Sequence, residues 1–163
     1  MNRKTRKILR AGAWVLFGVY LLLLCYFLFF AETLGRTHID REYRYNMYPF
    51  REIKRCIKYW HALGMKTVCI NLFGNIAAFV PFGLFVPLLS HKQRYWWRVV
   101  LLSFDFSLIV ELLQLVSKVG SFDVDDLLLN TIGGFVGYLC FICAEHLHRR
   151  GAKKRETGID GKV

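Results

Sequence analysis

Apolar residues occur along this chain in four long runs, and most charged residues lie between and beyond them. The runs cover about residues 11–31, 68–90, 96–117 and 126–144. A helix rises about 1.5 Å per residue, so a helix of about 20 residues crosses the ~30 Å hydrocarbon core of a bilayer. The pattern therefore predicts an all-α integral membrane bundle of about four transmembrane helices.

The segment between the first two runs, about residues 32–67, is too long for a simple hairpin turn. Apolar residues in its second half recur at helical spacing: Phe50, Ile53, Ile57 and Trp60. Pro49 is well placed to start such a helix and Gly64 to end it. We expect an amphipathic helix that lies in the membrane interface, within the first outer loop.

Basic residues are most abundant in the two terminal segments, residues 1–10 and 145–163. Lys and Arg accumulate on the cytoplasmic side of membrane proteins, so we expect a multi-pass protein of the cell membrane with both termini cytoplasmic. The two basic cytoplasmic tails would then flank one transmembrane domain at 11–144. We interpret the basic start followed by an apolar run as a retained span rather than a signal peptide.

A net charge of +11 would also suit a nucleic-acid partner. However, the basic tails contain no aromatic residue on which a base could stack. Anionic lipid head groups attract the same Lys and Arg residues. The lipid bilayer is therefore the expected partner, and no nucleic acid is expected.

Several polar residues lie inside the apolar runs, where each one needs a partner. The polar residues of the third run follow steps of 4, 4, 3 and 4, which place them on one helix face: Ser103, Ser107, Glu111, Gln114 and Lys118. Asn71 and Asn75 lie one turn apart in the second run, as do Asp126 and Asn130 in the fourth. With the expected topology, the three polar faces converge near the outer leaflet and form one wet, acidic pocket.

Two interpretations of these polar residues stay open. In one, the amides form hydrogen bonds between helices. In the other, the pocket binds a ligand, because four carboxylates near one helix end exceed what packing needs. The candidate binding residues are Asn71, Asn75, Glu111, Gln114, Asp123, Asp125, Asp126 and Asn130. A divalent cation at Glu111, Asp125 and Asp126 is a further option, although DVDD lacks the glycine and the closing glutamate of an EF-hand loop.

Proline and glycine residues in the second and fourth runs are expected to shape helix packing. Pro81 interrupts the backbone hydrogen bonding of the second run and predicts a kink. Small residues without a side chain allow close approach of two helices in a membrane. The candidates for this role are Gly83, Gly133, Gly134 and Gly137.

The sequence contains no recognisable nucleophile or metalloprotease motif, so no catalytic residue is assigned. Five cysteines, an odd number, do not make a disulfide framework. Cys56 and Cys69 would face the same side of the membrane, and whether they pair stays open. Cys140 and Cys143 lie within an apolar helix, where we expect them to pack as small hydrophobic residues.

Four motifs, taken in order, resemble the VanZ-like family: NMYPF at 46–50, NLFGNIAAFVPFGLFVPLL at 71–89, ELLQL at 111–115 and SFDVDDLLLNTIGGFVGYL at 121–139. The resemblance covers about residues 43–138. It implies a small multi-span protein of bacterial cell envelopes. The member that names the family is associated with lowered susceptibility to teicoplanin-type glycopeptides, so the resemblance makes this an expected function.

Three functions are compatible with these features. The leading hypothesis is a non-catalytic envelope protein whose outward acidic pocket binds a cell-wall precursor, a lipid-linked molecule or the glycopeptide itself. The second is a membrane enzyme that acts on a lipid-linked or peptidoglycan precursor. The third is a small transporter, which would have to be oligomeric because four spans are few for a transport path.

Overall fold

The computed structural model describes residues 3–34, 45–118 and 121–159. Within these residues the chain forms six α-helices, one 3₁₀ turn and two very short strands. In chain order they are α1 Arg3–Leu34, β1 Tyr45–Asn46, α2 Arg51–Lys58, α3 Trp60–Leu63, α4 Met65–Leu89, the 3₁₀ turn His91–Gln93, α5 Trp96–Ser117, β2 Phe122–Asp123 and α6 Val124–Ile159.

Four of the described helices are long and apolar enough to cross a membrane: Arg10–Leu28, Val68–Leu89, Trp96–Ser117 and Val124–Gly151. This confirms the predicted all-α bundle of about four spans and makes the chain a multi-pass membrane protein. Helix α1 already begins at Arg3, and α6 continues to Ile159. Much of each basic terminal segment is therefore helical, because Lys and Arg are good helix formers.

Helices α4 and α6 form the most extensive contact in the bundle. Glycines allow it. A Cβ added at Gly83 would overlap the backbone of Gly134, and one at Gly137 would overlap the carbonyl oxygen of Val80. At Gly134 a Cβ would also overlap the side chain of Ser103 on α5. The backbones of α4 and α6 approach so closely because no side chain separates them. Helix α5 packs against α6 at the same level, through Ser103.

Helix α1 lies at the edge of this arrangement. Only 6% of its span is buried, compared with 39% for the span of α6. It contacts the bundle mainly through apolar side chains, with Leu24 and Leu28 packed in a core that includes Phe79 and Phe82 of α4. The hydroxyl of Tyr20 also donates a hydrogen bond to the carbonyl oxygen of an α4 residue at 2.7 Å. A peripheral helix with so little of its span buried suits a membrane anchor.

The segment predicted as one amphipathic helix is divided in two. Phe50 has a left-handed backbone with φ 64°, so α2 begins only at Arg51, and Tyr59 separates α2 from α3. Gly64, with φ 82°, separates α3 from α4, as the sequence predicted. Phe50 and Ile57 are exposed, as expected for side chains that meet lipid.

A feature absent from the prediction is the parallel pairing of β1 with β2. Tyr45 pairs with Phe122, and Asn46 pairs with Asp123. The pairing joins the segment before α2 to the segment before α6. It therefore holds α2 over the end of the bundle at which α5 ends and α6 begins.

Candidate functional site

A cavity of about 730 Å³ lies at this end of the bundle. Its polar lining residues are Asn46, Arg51, Glu52, Arg55, Asn75, Glu111, Gln114, Ser121, Asp123, Asp125, Asp126 and Asn130. Its apolar lining residues are Phe27, Leu28, Tyr45, Ile53, Cys56, Ile70, Leu72 and Leu129. Seven of the eight predicted binding residues thus lie around one cavity, and the side chain of the eighth, Asn71, lies outside the described residues.

Asp125 caps the N-terminus of α2. Its Oδ1 accepts a hydrogen bond from the backbone N–H of Phe50 at 2.5 Å, and its Oδ2 accepts from Glu52 and Ile53 at 2.7 and 3.2 Å. The first N–H groups of a helix have no partner within it, and a carboxylate is favourable there because of the helix dipole. Both oxygens of this buried carboxylate are therefore engaged by the chain itself.

Asp123 and Glu111 form a second buried group beside the first. The Oδ1 of Asp123 accepts hydrogen bonds from the side-chain amide of Asn46 at 3.1 Å and from the N–H of Asp125 at 2.8 Å. The N–H of Asp123 donates to Oε2 of Glu111 at 2.9 Å. These bonds connect β1, β2 and α5 and fix the turn that leads into α6.

The Asp123 carboxyl group lies outside the spans and has a raised pKa. Burial is the main cause, because it penalises the charged form. The negative charges of Asp125 and Glu52 raise the pKa further, while the two hydrogen bonds that Asp123 accepts lower it only in part. Folding thus makes the Asp123 carboxyl group harder to deprotonate than it is in the unfolded chain.

Three amide side chains of the predicted site each bridge two helices. Asn75 on α4 donates to Asp126 on α6 at 2.5 Å, and Asn130 on α6 donates to the hydroxyl of Ser107 on α5 at 2.9 Å. Gln114 on α5 donates to the carbonyl oxygen of a residue on α1 at 2.8 Å. These are the interhelical hydrogen bonds of the first interpretation, and they line the cavity at the same time.

A divalent cation at Glu111, Asp125 and Asp126 stays an expectation from the sequence. Among the described residues, no three His, Cys, Asp or Glu side chains are grouped so that they could hold a metal ion. Ca²⁺ takes six to eight oxygen ligands. Both oxygens of Asp125 already accept backbone hydrogen bonds.

The structure adds basic residues that sequence analysis did not assign to the site. Arg51 and Arg55 of α2 line the cavity, and Arg55 forms an ion pair with Glu52 at 2.9 Å. A signal for them was present in the sequence, because PFREIKR places two arginines one helical turn apart. Cys56 and Cys69, whose pairing stayed open, form no disulfide, since all five cysteines are thiols. The cavity thus carries both signs of charge.

Comparison with known proteins places these features in a family. A family model described as VanZ/LLP1 matches residues 17–145. "Protein VanZ" from Enterococcus faecium is 26% identical over 81 residues, which are 49% of this chain and 50% of that protein. The chain thus spans about half the length of this curated relative. No solved structure matches.

Proposed function

The chain belongs to the VanZ/LLP1 family, and we propose that it is a binding protein of the bacterial cell envelope that lowers susceptibility to teicoplanin-type glycopeptides. In this proposal the cavity opens at the outer surface and binds an envelope component or the drug. The observation that carries the proposal is the convergence of β1, α2, α4, α5 and α6 on one cavity that carries charges of both signs.

The chemistry of the cavity suits a ligand with several polar groups. Arg51 and Arg55 offer donors for a carboxylate or a phosphate. Glu111 and Asp126 offer acceptors for amide or amino groups. Peptide-bearing wall precursors and glycopeptides present groups of these kinds. Apolar residues such as Phe27 and Ile70 complete the wall and could contact a lipid chain or an aromatic ring.

The outward direction of the cavity rests on the distribution of charge. The opposite end of the bundle carries Lys92, Arg94 and Arg98 together with the start of α1 and the basic end of α6. The positive-inside rule assigns that end to the cytoplasm. The cavity end would then face outward.

This orientation can be tested with a membrane-impermeant thiol reagent on intact cells. Arg51→Cys and Gln93→Cys are made separately in a chain whose exposed cysteines Cys69, Cys140 and Cys143 are replaced by Ala. We expect labelling at position 51 and none at position 93 until the cells are opened. Labelling of position 93 alone in intact cells would contradict an outward cavity.

The function is tested by the minimum inhibitory concentration of teicoplanin in a susceptible host that expresses the protein. Glu111→Gln removes a negative charge from the cavity with little change in side-chain size, and Arg51→Gln removes a positive charge together with part of the side chain's length. Arg149→Gln removes a charge at the opposite end and serves as the matched control. At equal membrane levels, we expect the two cavity variants to lose protection and the control to keep it. Protection that survives in all three variants would disprove the role of the cavity.

A further inference from the structure

The cavity reaches from the membrane surface into the hydrocarbon core. Asn75 lies seven residues inside the span Val68–Leu89, and Asn130 lies six residues inside the span Val124–Gly151. A helix rises about 1.5 Å per residue, so the cavity wall extends about 10 Å along these helices from the ends of their spans. The first part of the lipid chains surrounds the bundle at this depth, and the head groups lie just outside it. A ligand that fills the cavity therefore lies at the level of both parts of a lipid.

The cavity is open toward the lipid at α1 and α4. Phe27 of α1 and Ile70 of α4 line it, yet their side chains are 48% and 54% exposed. Leu28 and Leu129 of the same wall are buried. Because Phe27 and Ile70 belong to membrane spans, their exposed surface contacts lipid chains. A lipid chain can therefore reach the cavity from this side without leaving the membrane.

The contacts of α1 explain this lateral opening. The ring of Phe17 meets the rings of Phe82 and Phe85 on α4, with centroids 5.9 and 5.7 Å apart, and these contacts lie far from the cavity end. Beside the cavity, the side chain of Gln114 donates to the carbonyl oxygen of Leu28 and so ties α1 to α5. Helix α1 is thus held against α4 far from the cavity and against α5 next to it, which leaves a gap toward α4.

Arg51 supplies a positive charge at the polar end of the cavity. Within the described part of the chain, every other charged side chain of the wall has a hydrogen bond or an ion pair, whereas Arg51 has neither. Arg51 is exposed and begins α2, outside the spans, at the level of the lipid head groups. A guanidinium group donates hydrogen bonds in a planar fork that matches the oxygens of a phosphate.

We propose that the ligand of the cavity is a membrane lipid that carries a phosphate group. Its phosphate binds Arg51, and its chain passes Phe27 and Ile70 into the surrounding bilayer. This inference rests on the proposed binding function of the cavity and names the chemical class of the ligand. A phosphoglyceride of the bilayer and a polyprenyl-linked wall precursor share this chemistry, and binding measurements with each distinguish the two sources.

The phosphate contact is tested by native mass spectrometry of the full chain in detergent, titrated with phosphatidylglycerol and, separately, with a polyprenyl phosphate. Arg51→Gln removes the positive charge, and Lys54→Gln removes one from the same helix but outside the cavity wall. We expect Arg51→Gln to bind the preferred lipid about tenfold more weakly than the wild type, and Lys54→Gln to bind it as the wild type does. Tighter binding of one of the two lipids identifies the source. An equal loss in both variants, or no loss in either, would overturn the proposal.

The lateral opening is tested with the same lipids by adding a bulky side chain. Ile70→Trp places an indole ring at the opening, and Phe73→Trp enlarges an exposed side chain of α4 that does not line the cavity. We expect Ile70→Trp to weaken lipid binding and Phe73→Trp to leave it unchanged. Glycerol 3-phosphate, which has the phosphate without a chain, should fail to displace the lipid at equal concentration. Displacement by glycerol 3-phosphate, or full lipid binding by Ile70→Trp, would refute a ligand whose chain occupies the opening.

Lipid binding and teicoplanin susceptibility are separate readouts of Arg51→Gln, so the failure of this inference differs from the failure of the proposed function. If the variant loses protection but keeps lipid binding, the cavity acts on another ligand, and the lipid proposal is wrong while the proposed function stands. If the variant loses lipid binding but keeps protection, the lipid site stands and the proposed function is wrong.

Discussion

The two ends of the bundle bond their carboxylates in different ways. At the cavity end, Asp125 and Glu111 accept hydrogen bonds from backbone N–H groups of other segments. At the opposite end, Glu145 accepts from the side chains of Arg94 at 2.8 Å and Arg149 at 2.9 Å. At the cavity end, buried carboxylates hold the backbone of other segments in place, whereas at the opposite end Glu145 pairs with arginine side chains. The Arg55–Glu52 ion pair of the cavity end lies within α2 and joins no other segment.

This difference predicts which end of the bundle has its structure more firmly fixed by its carboxylates. A backbone N–H has one position once the fold is formed, so a carboxylate that accepts from three of them fixes a whole segment. A long arginine side chain loses conformational entropy in an ion pair, and solvent and salt screen the pair. The side chain of Arg149 is 74% exposed, so its bond to Glu145 contributes little. We therefore expect the backbone to be held in a more precise position at the cavity end than at the opposite end.

The largest effect is expected from Asp125→Ala, which removes the acceptor of three backbone N–H groups at the start of α2. A hydrogen bond to a charged group contributes about 1.5–3 kcal/mol, but the freed N–H groups bind water once α2 detaches, so we expect a total loss of only about 3 kcal/mol in local stability. Helix α2 should detach while the spans remain. Hydrogen exchange in detergent micelles would show faster exchange of the α2 amides.

Asp125→Asn is the matched control for this prediction, because its carbonyl oxygen can still accept a hydrogen bond. Its α2 amides should exchange at rates between those of the wild type and those of the Ala variant. Limited trypsin cleavage after Arg55 and Lys58 gives a second measurement. If α2 is equally protected in all three proteins, Asp125 does not hold the helix and the contrast between the ends fails.

A smaller effect is expected at the opposite end from Arg94→Gln. Arg94 is partly buried, bonds to Glu145 and lies over the ring of Phe141 at 5.4 Å, so its loss should cost about 1 kcal/mol in unfolding free energy. Arg149→Gln should cost less than Arg94→Gln, because it removes only an exposed i,i+4 pair on a helix. Thermal unfolding in detergent at low and high salt measures both.

Salt sharpens this comparison. The difference between wild type and Arg149→Gln should disappear at 1 M salt, where the Debye length is about 3 Å, whereas the effect of Asp125→Ala should persist. A larger loss from Arg149→Gln than from Arg94→Gln would show that burial does not govern the strength of these pairs.

The same contrast explains what the sequence could predict. The spans follow from apolar runs, because lipid selects composition and length locally. The polar face of α5, with Ser107, Glu111 and Gln114, follows from helical periodicity and the cost of polar groups in lipid. The cap of α2 by Asp125 does not follow, because the bonded groups are more than 70 residues apart and the β1–β2 pairing brings them together. Arg51 enters the cavity wall for the same reason.

The smallest effect concerns the pH dependence of Asp123 at the cavity end. Burial raises the pKa of its carboxyl group above the ordinary value of 3.8. Between that value and the raised pKa, the folded protein binds more protons than the unfolded chain. The contribution of Asp123 to stability is therefore fully present below the ordinary pKa and is lost as the pH rises through the raised one. Asp123→Asn, which cannot titrate, lacks this dependence.

We therefore expect the stability of the wild type relative to Asp123→Asn to fall as the pH rises from about 4, and then to level off above the raised pKa. Thermal unfolding of both proteins in one detergent over this pH range measures the difference, and the other carboxyl groups cancel because the proteins share them. A wild-type advantage that grows with pH would mean that the hydrogen bonds from Asn46 and Asp125 outweigh burial, so that the charged form of Asp123 is the one that the cavity end stabilises.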